Sequence, residues 1–183
     1  MPVYTPEKID FGSAIPDFTL LATDGNTYSK KDFLNNKPLV IMFICNHCPY
    51  VKAIEDRLIA LALDLKKLDI NIVAICSNDE LSYPEDSYAN LKARAEEKNY
   101  PFTYLYDKTQ EVAKNFGAIC TPDYFVYDSQ AKLAYRGRLD DSWKDASQVQ
   151  TRELYFAALE LSQNKKVSRP QIPSMGCSIK WVK

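Results

Sequence analysis

The chain has 183 residues, 46% hydrophobic and 26% charged, with 23 basic against 24 acidic side chains and a net charge of −1. That length is enough for one well-buried globular domain. Because the basic residues cluster only as pairs (Lys30-Lys31, Lys66-Lys67, Lys165-Lys166), no electrostatic footprint for nucleic acid or an anionic membrane is expected.

Residues 1–13 read as an extended arm, and Met1 to Lys8 lacks the basic start and apolar run of a secretory signal. The strongest apolar run, Leu39 to Ile44, is too short to span a bilayer. A soluble, cytoplasmic protein with no membrane partner is the expectation. Asp17 to Leu21, the turn Asp24-Gly25-Asn26 and Thr27 to Ser29 form a predicted N-terminal β-hairpin. Ser29 is placed to cap a short helix through Leu34. Leu39 to Ile44 reads as a central strand buried on both faces.

After Cys45-Asn46-His47-Cys48-Pro49, Val51, Ile54, Leu58, Leu61, Ala62, Leu65 and Leu68 recur at helical spacing. Ile70 to Ile75 is a second buried strand, parallel to the first by the β-α-β order. Ser82-Tyr83-Pro84-Glu85 has the form of a capping box opening a second long helix. Phe102 to Tyr106 is a short strand, and Asp107 caps a helix from Gln110 to Phe116 that Gly117 ends. Tyr124 to Tyr127 and Leu133 to Arg136 form an antiparallel hairpin. Ser147 with Gln150 caps a last helix carrying Leu154, Ala157, Ala158 and Leu161. Arg136 to Asp141 reads as a turn with paired surface charges. From Lys165 the tail is Pro-interrupted and extended. The whole is one α/β domain: arm 1–13, core 14–164, tail 165–183.

Five cysteines, an odd number in a chain too large to need disulfide staples, point to redox or metal chemistry. Two of them, Cys45 and Cys48, lie where a buried strand hands over to a helix. The partial positive charge and unpaired N–H groups of a helix N-terminus favour a thiolate. A Cys-x-x-Cys there can pass between dithiol and disulfide. His47, the chain's one histidine, is placed to stabilise a neighbouring thiolate, which makes the pair more oxidising. A zinc half-site is the competing reading, but no second Cys pair at similar spacing completes it.

The order strand, Cys-x-x-Cys, helix, strand, helix, Thr-Pro, hairpin, helix resembles the thioredoxin fold over nearly the whole chain. Ile15 to Leu20 with Asp24-Gly25 is similar to the redoxin (AhpC/TSA-like) branch, which holds peroxiredoxins and membrane-anchored thiol reductases. Three stretches resemble peroxiredoxin-like thioredoxin-family proteins: Cys45 to Val51, Gly117 to Asp123, and Gly176 to Trp181. The resemblance implies a thioredoxin-like α/β fold with a central mixed sheet flanked by helices. It also implies that Cys45 is an exposed nucleophile and Cys48 the resolving thiol. Pro122 would be cis and face the cysteines, Thr121 would offer backbone hydrogen bonds to a bound peptide, and Asn46 would lie at the substrate.

Cys120, two residues before Pro122, is a candidate auxiliary thiol. Cys76 reads more simply as a strand-end packing residue, and Cys177 as a surface or docked structural cysteine, with a long-range resolving thiol as its alternative reading. No cofactor is expected beyond the Cys45–Cys48 disulfide, and no metal. The partners implied are a disulfide-containing protein or small molecule and an external thiol reductant, such as a thioredoxin reductase or glutathione system. Two features depart from the pattern: Ile44 stands where Trp usually precedes the pair, and Leu39 stands where a buried acid is expected. Neither cysteine has the threonine that a peroxiredoxin places three residues earlier. Thiol–disulfide exchange is therefore the first reading, hydroperoxide reduction the second, and a metal-handling or binding module the third.

Overall fold

The computed structural model describes residues 2–6 and 9–182; Met1, Glu7 and Lys8 of the expected arm lie outside them. Among the described residues the strands and helices, in chain order, begin with β1 (Val3–Tyr4), β2 (Thr19–Ala22), β3 (Thr27–Ser29), β4 (Leu39–Phe43), α1 (Pro49–Lys67) and β5 (Asn71–Cys76). They continue with α2 (Tyr88–Glu97), β6 (Thr103–Tyr106), α3 (Glu111–Phe116), β7 (Cys120–Thr121), β8 (Asp123–Tyr127), β9 (Leu133–Gly137), α4 (Glu153–Ser162) and β10 (Met175–Ser178).

The main sheet runs β3-β2-β6-β5-β4-β8-β9. β4, β5 and β6 are parallel, and β2, β3, β8 and β9 pair antiparallel around them. It is the central mixed sheet flanked by helices that the resemblance implied. β4 is an interior strand, with Ile41 opposite Val73 on one side and Phe125 on the other. Side chains alternate with period two along a strand. Val40 and Met42 therefore enter the cluster that α1 and α4 cover, while Leu39, Ile41 and Phe43 enter the one holding Phe18, Val112 and Phe116. Burial on both faces is why the run shows no polar alternation.

α1 buries Val51, Ile54, Leu58, Leu61, Ala62 and Leu65, the stripe read from the sequence. Cys48 is its N-cap and Pro49 its first residue, where a missing N–H costs nothing. At α3, the Asp107 carboxylate accepts the N–H groups of Val112 (3.4 Å) and Ala113 (2.9 Å). Gly117 ends the helix at φ +64°, a conformation glycine adopts without steric penalty.

Two capping boxes do not form. Ser82 Oγ donates to Asp79 Oδ2 at 2.6 Å, Pro84–Asp86 is a single 3₁₀ turn, and α2 starts only after Ser87. Ser147 is likewise claimed by a nearer acid: its N–H donates to Asp145 Oδ1 at 2.9 Å, while Gln150 N–H goes to Asp141 Oδ1. α4 consequently begins at Glu153. Nor is the segment from Arg136 a surface turn. Arg136 is buried against Asp123 (2.8 Å), Arg138 pairs with Glu153 (2.6 Å), and Asp140 with Arg57 (2.7 Å).

The largest correction concerns the arm and the tail. Val3–Tyr4 pairs with Met175–Gly176, and Cys177–Ser178 pairs with Cys120–Thr121, giving a second sheet of order β1-β10-β7. Such pairing needs backbone hydrogen bonds rather than an alternating pattern, so side chains announce it poorly. Among the described residues, no helix is long and apolar enough to cross a membrane.

Candidate active site

β4 delivers the chain to the sheet's carboxyl edge, where Ile44 N–H still donates to Ile75 O at 3.0 Å before the backbone turns into α1. The Thr121–Pro122 peptide is cis. Thr121 meets both cysteines: its Oγ1 lies 3.3 Å from Cys45 Sγ, and its carbonyl oxygen 3.1 Å from Cys48 Sγ. Both cysteines are free thiols. The structure thus brings Cys45, Cys48 and Thr121 into contact, with Pro122 adjoining.

Cys45 is not the exposed thiol expected, for only 1% of its surface is accessible, and Cys48 is fully buried beside it, so exposure does not separate the two. Burial, then the neighbouring Cys48 sulfur and the Asp86 carboxylate, push its thiol well above the usual range. Cys48 goes the other way. The neighbouring Cys45 thiol does most to favour its thiolate, followed by the Val51 N–H at the mouth of α1 and then the Cys177 N–H and thiol. Against them stand burial and the Thr121 carbonyl, which favour the protonated form. The donors prevail, holding Cys48 down at about 4. The two sulfurs therefore divide one proton unequally, with Cys45 keeping it.

The loop between them is fixed by an acid that sequence reasoning missed. Asp86, fully buried, accepts the N–H groups of Asn46 (2.7 Å) and His47 (3.2 Å) through Oδ1. Its Oδ2 takes His47 Nδ1 (2.5 Å) and Asn78 Nδ2 (2.8 Å). Burial alone would push this carboxyl up, but the hydrogen bonds from His47, Asn78 and Asn46 hold it below its usual range. An ionised carboxylate only accepts, so Nδ1 of His47 carries the proton it shares. Cys45 Sγ is 3.7 Å from the same nitrogen, and Tyr83 stacks on the ring at 4.7 Å. His47 accordingly serves Asp86 and the Cys45 side of the pair. Asn46 spends its amide donors on the carbonyls of Glu85 and Asn90, each at 3.0 Å, which ties the loop to α2.

Cys45, His47 and Asp86 also bring three metal-ligating atoms within 4.8 Å of one another. The carboxylate's oxygens are already satisfied by four donors, so the set is complete as a hydrogen-bond network. Cys120 is fully buried and turns its thiol to the Pro122 carbonyl (3.6 Å). Burial and Asp123 raise it far above the usual thiol range, and burial does the same to Cys76. Cys177, in contrast, is half-buried and borders Cys48. The glycine before it, within the Gly176 to Trp181 stretch, permits this approach: a Cβ on Gly176 would lie 2.0 Å from the Thr121 carbonyl oxygen.

A dithiol at a helix mouth facing a cis-Pro, on a mixed sheet of this order, defines a thioredoxin-like protein. The thioredoxin domain of a thiol-disulfide oxidoreductase from Bacteroides vulgatus shares the fold, with TM-score 0.59 and 17% identity over 70% of this chain and 89% of that one. So does peroxidoxin BcpB from Mycobacterium tuberculosis, with TM-score 0.59 and 17% identity over 86% and 96%. The AhpC/TSA family model matches residues 11–136, and the chain belongs to that family of thioredoxin-like thiol oxidoreductases and peroxidases. An uncharacterized conserved protein from Geobacillus kaustophilus is 43% identical, with TM-score 0.93 over 100% of this chain and 97% of that one. A hypothetical protein from Sinorhizobium meliloti 1021 is 36% identical, with TM-score 0.91 over 96% and 97%. Comparison with curated proteins gives no match.

Proposed function

We propose that the protein is a thiol–disulfide oxidoreductase in which Cys45 and Cys48 cycle between dithiol and disulfide. The observation that carries this is a pair of free thiols at the mouth of α1 that both contact Thr121 of the cis Thr121–Pro122 peptide, Cys45 Sγ at 3.3 Å and Cys48 Sγ at 3.1 Å. The Cys48 thiolate attacks a substrate disulfide, forming a mixed disulfide and releasing one thiolate, which takes up a proton. Cys45 gives up its proton as it attacks the Cys48 sulfur and expels the second substrate thiol. Two protein thiols are oxidised to one disulfide while the substrate disulfide becomes two thiols. An external thiol reductant, such as a thioredoxin reductase or glutathione system, restores the dithiol. The order of attack reverses the roles that the family resemblance implied.

Hydroperoxide reduction is the second reading, favoured by the Thr121 hydroxyl beside Cys45, a hydroxyl the local sequence lacks. Here the Cys48 or Cys45 thiolate takes one peroxide oxygen as a sulfenic acid and releases an alcohol or water. Condensation with the other thiol then yields the disulfide and water.

Titration with oxidised glutathione, with mass spectrometry locating each disulfide, tests the first reading. Wild type is expected to form Cys45–Cys48, and Cys48→Ser to lose disulfide reduction. Failure of wild type to form that bond overturns the function, and a glutathione adduct on Cys45 in Cys48→Ser overturns the order of attack. Stoichiometric hydrogen peroxide consumption faster than disulfide exchange selects the peroxidase.

A further inference from the structure

Given the exchange chemistry of Cys45 and Cys48, on which the role of the tail depends, a peptide carrying a substrate cysteine would pair along the strand edge at Thr121. That edge is not free. β10 occupies it antiparallel, with Cys177 opposite Thr121 and Ser178 opposite Cys120, and Ile179 N–H extends the ladder to Ile119 O at 3.0 Å. Just before β10, Ser174 Oγ donates to the Pro122 carbonyl at 2.8 Å, so the tail meets both residues of the cis Thr121–Pro122 peptide.

The residue facing Thr121 is itself a cysteine. Thr121 is also the residue whose carbonyl contacts Cys48 Sγ at 3.1 Å, so Cys177 and Cys48 meet the same residue, from the tail strand and from the mouth of α1. Burial and the Cys48 sulfur hold the Cys177 thiol up at about 11, so it waits protonated. Further along, Lys180 N–H donates to Asn78 Oδ1 (2.8 Å), and Asn78 Nδ2 to Asp86. The tail is thereby wired to the acid that fixes the active loop.

We propose that Met175–Ser178 is a resident stand-in for a substrate peptide and that Cys177 is a third redox thiol exchanging with Cys48. When a small disulfide has loaded Cys48 as a mixed disulfide, Cys177 loses its proton and attacks the Cys48 sulfur. A Cys48–Cys177 bond forms and the small thiol leaves, taking up the proton. Cys45 can then attack Cys48 in turn and return Cys177 to the thiol. The same strand keeps protein disulfides off the Thr121 edge until it lifts.

The experiment adds oxidised glutathione to four variants and maps the products by mass spectrometry. Cys45→Ser is expected to lose the adduct to a Cys48–Cys177 disulfide. Cys45→Ser with Cys177→Ser, and Cys45→Ser with Gly176→Ala, are expected to keep glutathione on Cys48, the second because its new Cβ meets the Thr121 carbonyl oxygen at 2.0 Å. Gly176→Ala alone is expected to raise insulin reduction relative to hydroxyethyl disulfide reduction by roughly tenfold, on the order of the few ladder hydrogen bonds it breaks.

Persistence of glutathione on Cys48 in Cys45→Ser, matching the double variant, overturns the role of Cys177. An unmoved insulin ratio overturns the stand-in. If the Cys45→Ser, Cys177→Ser double variant takes no glutathione on Cys48 at all, the exchange chemistry beneath both fails.

Discussion

Replacing Cys45 by alanine removes the neighbouring thiol that does most to hold the Cys48 thiol down. A hydrogen bond to a charged group contributes about 1.5–3 kcal/mol, and one pKa unit corresponds to about 1.4 kcal/mol. Cys48 should therefore rise by roughly one to two units, from about 4 to about 5–6. It stops there because the Val51 N–H and the Cys177 groups still face the sulfur. The measurement is the rate of iodoacetamide alkylation at Cys48 against pH, read by peptide mass spectrometry so that the other thiols do not contribute. Cys45→Ser keeps a donor at the same place and is expected to move the midpoint less than half as far. An unmoved midpoint in Cys45→Ala, or equal shifts in the alanine and serine variants, would refute the shared-proton picture. So would a low midpoint that stays on Cys45 in Cys48→Ser.

Asp86→Asn should cost about 3–5 kcal/mol at pH 7, since it strips the charge from a buried, hydrogen-bonded pair with His47. The folded Asp86 carboxyl lies below its unfolded value, so its contribution is complete above about pH 4 and fades as pH falls through the folded value. Urea melts should show the wild-type-to-variant gap narrowing toward pH 2, and a constant gap would be inconsistent with that assignment. Leu58→Ala, in the buried stripe of α1, should lower stability by about 2–5 kcal/mol and shift the urea midpoint with little change in slope. Arg136→Ala should cost about 3–5 kcal/mol by leaving Asp123 buried beside the cis-Pro without its cation, and a loss under 1 kcal/mol in the same melts would contradict the pairing.

The sheet and α1 were legible because their signals are periodic. Leu39 to Phe43 could be unbroken apolar sequence only if both faces were covered, and the three- and four-residue spacing from Val51 to Leu65 left one helical face to bury. The Cys-x-x-Cys and the Thr-Pro junction were readable as local motifs. What escaped depended on distance. Asp86 lies 40 positions after Asn46 and looked like part of a helix cap, and nothing nearby marks its carboxylate as the anchor of the active loop. The misread capping boxes show the same limit, since each serine had an acid before it, Asp79 or Asp145, as near as or nearer than the intended partner after it. The tail carried no alternation, because a strand made of Met175-Gly176-Cys177-Ser178 is held by its backbone on both edges.

Because Val3 lies beside Gly176, the first strand is tied to the last, which in turn pairs with the Thr121 edge beside the reactive sulfurs. An affinity handle or fluorophore joined near either extremity would load the strands that govern entry, and could alter turnover without touching a thiol. The Asp128–Ala131 bend follows Tyr127, which faces Leu39 at the far end of the central strand from Cys45. That bend is the place to attach a probe when the chemistry is to be left alone.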